Sequence, residues 1–344
     1  MKSLLKYLSP FAPDLAGAVS VLFELDGLIV ICDAGGCTGN ICGFDEPRWF
    51  TQKSALFSAG LRDMDAILGR DRLLADKLIA AAQSSQRKFA VMIGSPVPAV
   101  IATDFTALKR MCQKKLDIPV MAIEACGTLD YEVGASAAYC ELFKTFAQEK
   151  YPVKADAVGV LGVTPLDCST LEAAGKITQM ISGDLRCYGM NSTLADIVRA
   201  SEVSKNLVVA PAALKCAQML ERKFGTPYEI AVPFLPENTL QAAINAAGKN
   251  VLIVHQVFAA RALQQKLQAI LPDSRISSGS FFNKYAQGDY KFASENDFAE
   301  TVAEGNFDVI IADDAFRRIV EKSFHGQWID FTHFAVSGKL LEEE

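Results

Sequence analysis

Histidine is scarce in this chain: three in 344 residues, His255, His325 and His333. So few leave nothing to build a histidine-rich zinc centre and make a Ser-His-Asp triad a poor expectation. The pattern G-x-x-x-x-G-K-[ST] is absent, so the chain has no phosphate loop with which to hydrolyse ATP itself. No G-x-G-x-x-G follows a strand-like run, which argues against direct NAD or FAD binding. Basic runs are missing too. With a net charge of -6 and a pI near 5.3, neither nucleic acid nor an anionic membrane surface is an expected partner. There is no uncharged apolar stretch of about 20 residues, the length needed to span a bilayer as a helix. The longest uncharged run, 89–103, is broken by Gly94, Pro96 and Pro98. At the N-terminus Pro10, Pro13 and Asp14 interrupt what would be the apolar region of a signal peptide, so a cytoplasmic location is expected.

What the chain does have is sulfur. It contains nine cysteines, an odd number that cannot pair completely, and without an export signal disulfides are not expected. Three of them, Cys32, Cys37 and Cys42, fall within "CDAGGCTGNIC". Residues five apart on an α-helix are turned by about 140°, so on a helix these thiols would diverge. On an irregular turn, which the glycines of this stretch favour, they can converge. Soft thiolates without histidine suit an iron–sulfur cluster or zinc. Three are one short of a four-thiolate site, and the fourth ligand would come from Asp33, a distant cysteine or a second subunit. The alternative is packing, with Cys32 a buried strand residue and the others small neighbours.

Apolar runs rich in Val and Ile recur at 27–34, 88–95, 119–125, 157–164, 206–211, 250–256 and 308–314. They do not alternate strictly, which is how strands buried on both faces of a parallel sheet read. Amphipathic helical patterns lie between them at 53–68, 70–86, 104–116, 134–149, 170–181, 193–200, 211–224, 257–269 and 295–304. Half the residues are hydrophobic, enough for several buried cores at this length. The expected architecture is α/β, with three Rossmann-like domains at 1–150, 151–248 and 249–344 and mostly parallel, doubly wound sheets. Ligands in such sheets bind beyond the carboxyl ends of the strands, so the loops there are the places to look. Asp45, Glu46 and Arg48 read as a solvated acidic turn, with proton transfer as the alternative. Ser169-x-x-Glu172 reads as a capping box, and Thr103 or Asp104 as the cap of the helix that follows. Cys168 and Ser169 sit at a strand-to-helix turn. His255 follows a strand, where it is either a structural residue or one facing a ligand.

The order of several blocks resembles the nitrogenase component 1 superfamily. "DAGGCTGN" is similar to its Gly-Cys cluster loop, and "GSPVPAVIATDFTALKRMCQKKLDIPVMAIEACG" to its second cluster loop, helix and strand. "AVGVLGVTPLD", "ISGDLRCYGMNSTLADIVRASEVSKNLVV" and "QMLERKFGTPYEIAVPF" resemble its middle domain. The resemblance implies a subunit of three Rossmann-like domains and an iron–sulfur cluster, [4Fe-4S] or related, shared at a subunit interface. It also implies a homodimer or a heterodimer with a homologous subunit, and electrons from an ATP-dependent reductase of the nitrogenase iron protein type. Cys37 falls on the family's cluster ligand, with Cys32 and Cys42 as additional thiolates. Ser95 stands where a further ligand cysteine is expected, Asp33 is a candidate oxygen ligand, and no cysteine lies between Ser9 and Ala18. The position of the active-site cofactor cysteine is Val209, with Cys216 too late, so dinitrogen reduction is not expected. The implied activity is that of an oxidoreductase acting on a small molecule or cofactor. A metallocluster assembly scaffold or carrier, and a metal-free small-molecule-binding protein, are the alternatives.

Overall fold

The computed structural model describes residues 5–51, 54–69, 71–245 and 249–341. The expected first positions of the helices at 53 and 70, and the domain boundary at 248, lie outside the described residues.

Three parallel sheets follow one another along the chain. The first contains β1 (Gly27–Ile31), β2 (Ala55–Ser58), β3 (Phe89–Ile93) and β4 (Val120–Ile123), in the order β2-β1-β3-β4. The second contains β5 (Lys154–Leu161), β6 (Asp184–Tyr188), β7 (Val203–Val208) and β8 (Tyr228–Ile230), in the order β6-β5-β7-β8. The third contains β9 (Asn250–Val254), β10 (Arg275–Ser280), β11 (Tyr290–Lys291), β12 (Val309–Ala312) and β13 (Gln327–Asp330), in the order β11-β10-β9-β12-β13. Every pairing between these strands is parallel. Each sheet therefore reverses its winding once, between β1 and β3, between β5 and β7, and between β9 and β12. At those points successive loops diverge to opposite faces and leave a crevice.

The central strands β1 and β3 are buried along their whole length, as their unbroken apolar runs require. Helix Tyr131–Phe146 is the common buttress, packing against helix Asp14–Leu22, against β4 and against helix Leu214–Phe224. Its closest approach is made by glycine: a Cβ on Gly134 would overlap the Asp14 carbonyl, and one on Gly17 the Tyr131 carbonyl.

Several expectations need correction. The pattern at 53–68 is not one helix: β2 forms first, Gly60 turns the chain at φ +60°, and only Asp63–Leu68 is helical. The capping box at Ser169 does not form. Ser169 itself is left-handed at φ 55°, and its Oγ donates to the Thr332 carbonyl at 3.0 Å while accepting the Phe334 N–H at 2.9 Å. Asp104 does cap its helix, accepting the Ala107 N–H at 2.9 Å. No described helix is long and apolar enough to cross a membrane.

Candidate functional site

The cysteine stretch leaves β1 at the crevice between β1 and β3. It is more ordered than an irregular turn. Gly35, at φ 118°, admits the chain to a short helix, Gly36–Asn40, which widens into a π turn, Ile41–Asp45, and ends in the 3-10 turn Pro47–Phe50. Asp33 holds this arrangement from below. Its carboxylate accepts the Thr38 N–H at 2.8 Å, the Thr38 hydroxyl at 3.0 Å and the Ser58 hydroxyl at 2.6 Å, tying the loop to the end of β2. Ser95, fully buried at the end of β3, donates to the Cys32 carbonyl at 2.8 Å. Asp33 and Ser95 thus spend their polar atoms on positioning the loop.

The three thiols part company. Cys32 is fully buried in the core between β1 and the helices behind it, and burial, reinforced by Asp33, pushes its thiol up to about 12. Cys37 and Cys42 lie half-buried on the outer face, each touching the core. Burial raises both thiols, with Asp33 adding to the effect at Cys37 and Glu46 at Cys42. Among the described residues no three His, Cys, Asp or Glu side chains come together to hold a metal ion within one chain.

The stretch after the loop is not the solvated turn expected from its charges. Arg48 is 1% exposed and grips Glu46 with two hydrogen bonds of 2.7 Å. It also donates to Glu24 at 2.8 Å, to the Ser20 carbonyl at 2.6 Å and to the Gly189 carbonyl at 3.0 Å. One buried guanidinium thus locks the cysteine loop to helix Asp14–Leu22 and to the second sheet's territory. Asp45 alone is close to expectation. It is half-buried, bonded to Asn40 at 2.8 Å, and raised to about 6, chiefly by burial.

Large apolar side chains are exposed on the segments that leave this end of the sheet. Phe44 is 73% exposed and Phe50 75%, both on the cysteine segment. Phe57 lies one residue before the end of β2, and Val97, Val100 and Ile101 follow β3, Val100 at 85% exposure. All lie at the carboxyl edge of the first sheet.

The crevices of the second and third sheets meet at a cleft between the two sheets. Its wide outer part measures about 1300 Å³ and is lined by residues including Lys176, Lys266, Trp328 and Lys339. Its inner end is bounded by Asp167, Cys168 and Val209 from one sheet and His255 and Gln256 from the other. Cys216, by contrast, is fully buried behind helix Tyr131–Phe146. Asp167 is buried and accepts Tyr131 Oη at 2.7 Å and Thr164 Oγ1 at 3.0 Å. Tyr131 Oη also lies 3.3 Å from His333 Nε2. Burial raises Asp167 to about 7 and lowers His255 to about 4. His333 and the Tyr131–Asp167 pairing escaped the sequence reading, because their partners are 202 and 36 residues away.

Solved structures that share this fold include two of nitrogenase Cp1. Nitrogenase Cp1 at pH 6.5 superposes with a TM-score of 0.70 at 10% identity, over 96% of this chain and 87% of that one. Nitrogenase Cp1 at pH 5 does so with a TM-score of 0.64 at 14% identity, over 97% and 78%. At such identities the likeness concerns fold alone. No curated protein matches the sequence. The sequence pattern of the nitrogenase component 1 type oxidoreductases, however, matches residues 13–267. That match covers most of the chain, which therefore belongs to the nitrogenase component 1 type oxidoreductase family.

Proposed function

We propose that the protein is an electron-transferring oxidoreductase subunit that holds an iron–sulfur cluster with Cys37 and Cys42 at an interface between two such subunits. The observation that carries this reading is the pairing of features on the first sheet's edge. Two unburdened thiols stand at the crevice between β1 and β3, and Phe44, Phe50, Phe57 and Val100 are exposed on the segments that leave the same end of the sheet. Covering that surface with a second subunit brings four thiols together and removes water from them. Low-potential clusters depend on that exclusion. When bound, the cluster would supply one-electron transfer. The protein's own part is to fix the thiols through Asp33, Ser95 and Arg48. The partner that covers the surface is a second copy or a homologous subunit. Because the chain lacks a phosphate loop, the energy of ATP would be spent in a separate reductase of the iron protein type. The electrons would reach a small molecule or cofactor in the cleft between the second and third sheets.

One observation favours a second reading, a scaffold or carrier that passes on a metallocluster. Val209 stands at the inner end of the cleft, where a cofactor-ligating cysteine would be needed to retain a large metallocofactor.

Anaerobic purification, alone and with a co-encoded homologous subunit, separates these readings through iron and acid-labile sulfide content and EPR. The redox reading expects a cluster that an ATP-dependent reductase reduces. No cluster after reconstitution overturns it. A cluster that dithionite reduces, but no ATP-dependent partner does, assigns the protein to the scaffold class.

A further inference from the structure

The inner end of the cleft carries an atom that nothing among the described residues uses. His255 leaves β9 at the crevice between β9 and β12, and its ring is sandwiched. Phe331 stacks on one face at 4.1 Å between centroids and 28° between planes, and His333 on the other at 4.2 Å and 22°. With both faces covered, only the ring edge can meet the cavity that His255 lines. On that edge Nε2 lies 3.1 Å from the Thr332 carbonyl. A carbonyl only accepts, so Nε2 carries the proton and Nδ1 is a bare lone pair. Nδ1 is buried and has no hydrogen-bond partner among the described residues, in a residue only 4% exposed.

The surroundings define what this lone pair would accept. Val209, Pro233, Phe234, Ala259 and Leu341 make the walls largely apolar. The other polar groups are occupied. Gln256 donates to the Val209 carbonyl and accepts the Phe258 N–H, Ser169 bridges Thr332 and Phe334, and both Asp167 oxygens are bonded. Of the titratable groups here, His333 stacks on the far face and Asp167 and Cys168 line the near wall. Cys168 is held neutral by burial, and burial likewise keeps His255 uncharged at neutral pH. The cavity is small, about 30 Å³ open to the centres of water molecules. It adjoins the large cleft: Val232, Pro233, Phe234, Leu235 and Pro236 line both. That shape suits the leading end of a ligand whose body lies outside. The loops of two opposed sheet crevices supply it, the position at which open α/β sheets bind ligands.

We propose that this inner cavity is a binding subsite for a neutral ligand group bearing one N–H or O–H donor, received by His255 Nδ1. The walls are largely apolar, so a neutral donor enters at lower desolvation cost than an ammonium, whose counter-charge here, the Asp167 carboxyl, is already committed to Tyr131 and Thr164. The proposal is independent of the cluster and is tested on protein without metal, so its failure would leave the cluster reading untouched, and the reverse also holds.

The test uses two ring probes, pyrazole, which has an N–H donor, and 1-methylpyrazole, which does not. With only three histidines in the chain, long-range proton–nitrogen NMR of ¹⁵N-histidine-labelled protein resolves His255 Nδ1 directly. Pyrazole should move that resonance saturably and 1-methylpyrazole should leave it unmoved. His255→Phe keeps a flat ring between Phe331 and His333 and should abolish saturable pyrazole binding, followed through the His333 resonances. Should that variant not fold, Ala259→Leu fills the cavity from helix Val257–Ile270 and should abolish the His255 shift instead. No saturable shift, an equal response to the two probes, or undiminished pyrazole binding in the cavity-filled variant overturns the proposal and leaves the space to water.

Discussion

Replacing Asp167 by Asn removes one proton-binding site from the junction of the three sheets while keeping the shape of the side chain. Burial holds the Asp167 carboxyl at about 7, against an ordinary value of 3.8, and the hydrogen bonds from Tyr131 and Thr164 offset this only in part. The native state thus grips the proton more tightly than the unfolded chain does. The resulting stability is fully present below pH 4. It is lost as the pH rises to about 7, and above that it no longer changes. Three pH units at about 1.4 kcal/mol each give a total on the order of 4 kcal/mol. Asn cannot titrate, and its carbonyl still accepts the Tyr131 hydroxyl. The stability of Asp167→Asn relative to the parent should therefore increase by about 1.4 kcal/mol for each unit between pH 4 and 7 and then level off. Taking the difference cancels most of the other titrating groups, His255 among them, whose lowered value acts in the opposite sense and costs stability as the pH falls from 6.5 towards 4. Urea midpoints measured at half-unit steps of pH would show the slope. A difference that stays constant across pH 4–7 would refute the buried, proton-holding Asp167.

Three further outcomes are expected. Arg48→Met leaves Glu46 and Glu24 without their buried cation and should cost about 3–5 kcal/mol, whereas Lys205→Ala, which breaks an exposed pair with Glu229, should cost less than about 1 kcal/mol in the same denaturation assay. Gly134→Ala drives a methyl group into the Asp14 carbonyl and should destabilise by about 3 kcal/mol or more, while Gly175→Ala, whose Cβ meets nothing within 4 Å, should stabilise by about 0.5–1 kcal/mol. The double variant Phe50→Glu, Val100→Glu places charge among the exposed apolar side chains at the carboxyl edge of the first sheet. It should sediment as a monomer with an unchanged melting temperature, and an oligomer as tight as the parent's would contradict the interface.

The central strands were legible because they are buried on both faces, and burial writes a continuous Val/Ile run into the sequence. Most strands at or near the edges were not, β4, inside the expected run 119–125, being the exception. In β6, "DLRCY" mixes charge with apolar residues, and β8 is only "YEI". In β2, "ALFS" merges into the helical pattern of Asp63–Leu68 without a strong break. What was not legible is which polar groups are spent: Asp33 and Ser95 look like spare ligands in the sequence and turn out to hold the loop. The charges of Glu46 and Arg48 suggested solvent, because nothing local to them reveals that Ser20, Glu24 and Gly189 close around the guanidinium. The sandwich of Phe331, His255 and His333 likewise depends on the meeting of chain segments about 80 residues apart.

The measurement that bears most directly on the cluster reading is iron and sulfide per chain after anaerobic reconstitution, compared among the parent, Cys37→Ala, Cys42→Ala and Cys32→Ala. A cluster shared by Cys37 and Cys42 across two subunits predicts loss of iron and of the associated dimer in the first two variants, with Cys32→Ala retaining both. Unchanged iron content in Cys37→Ala would contradict it.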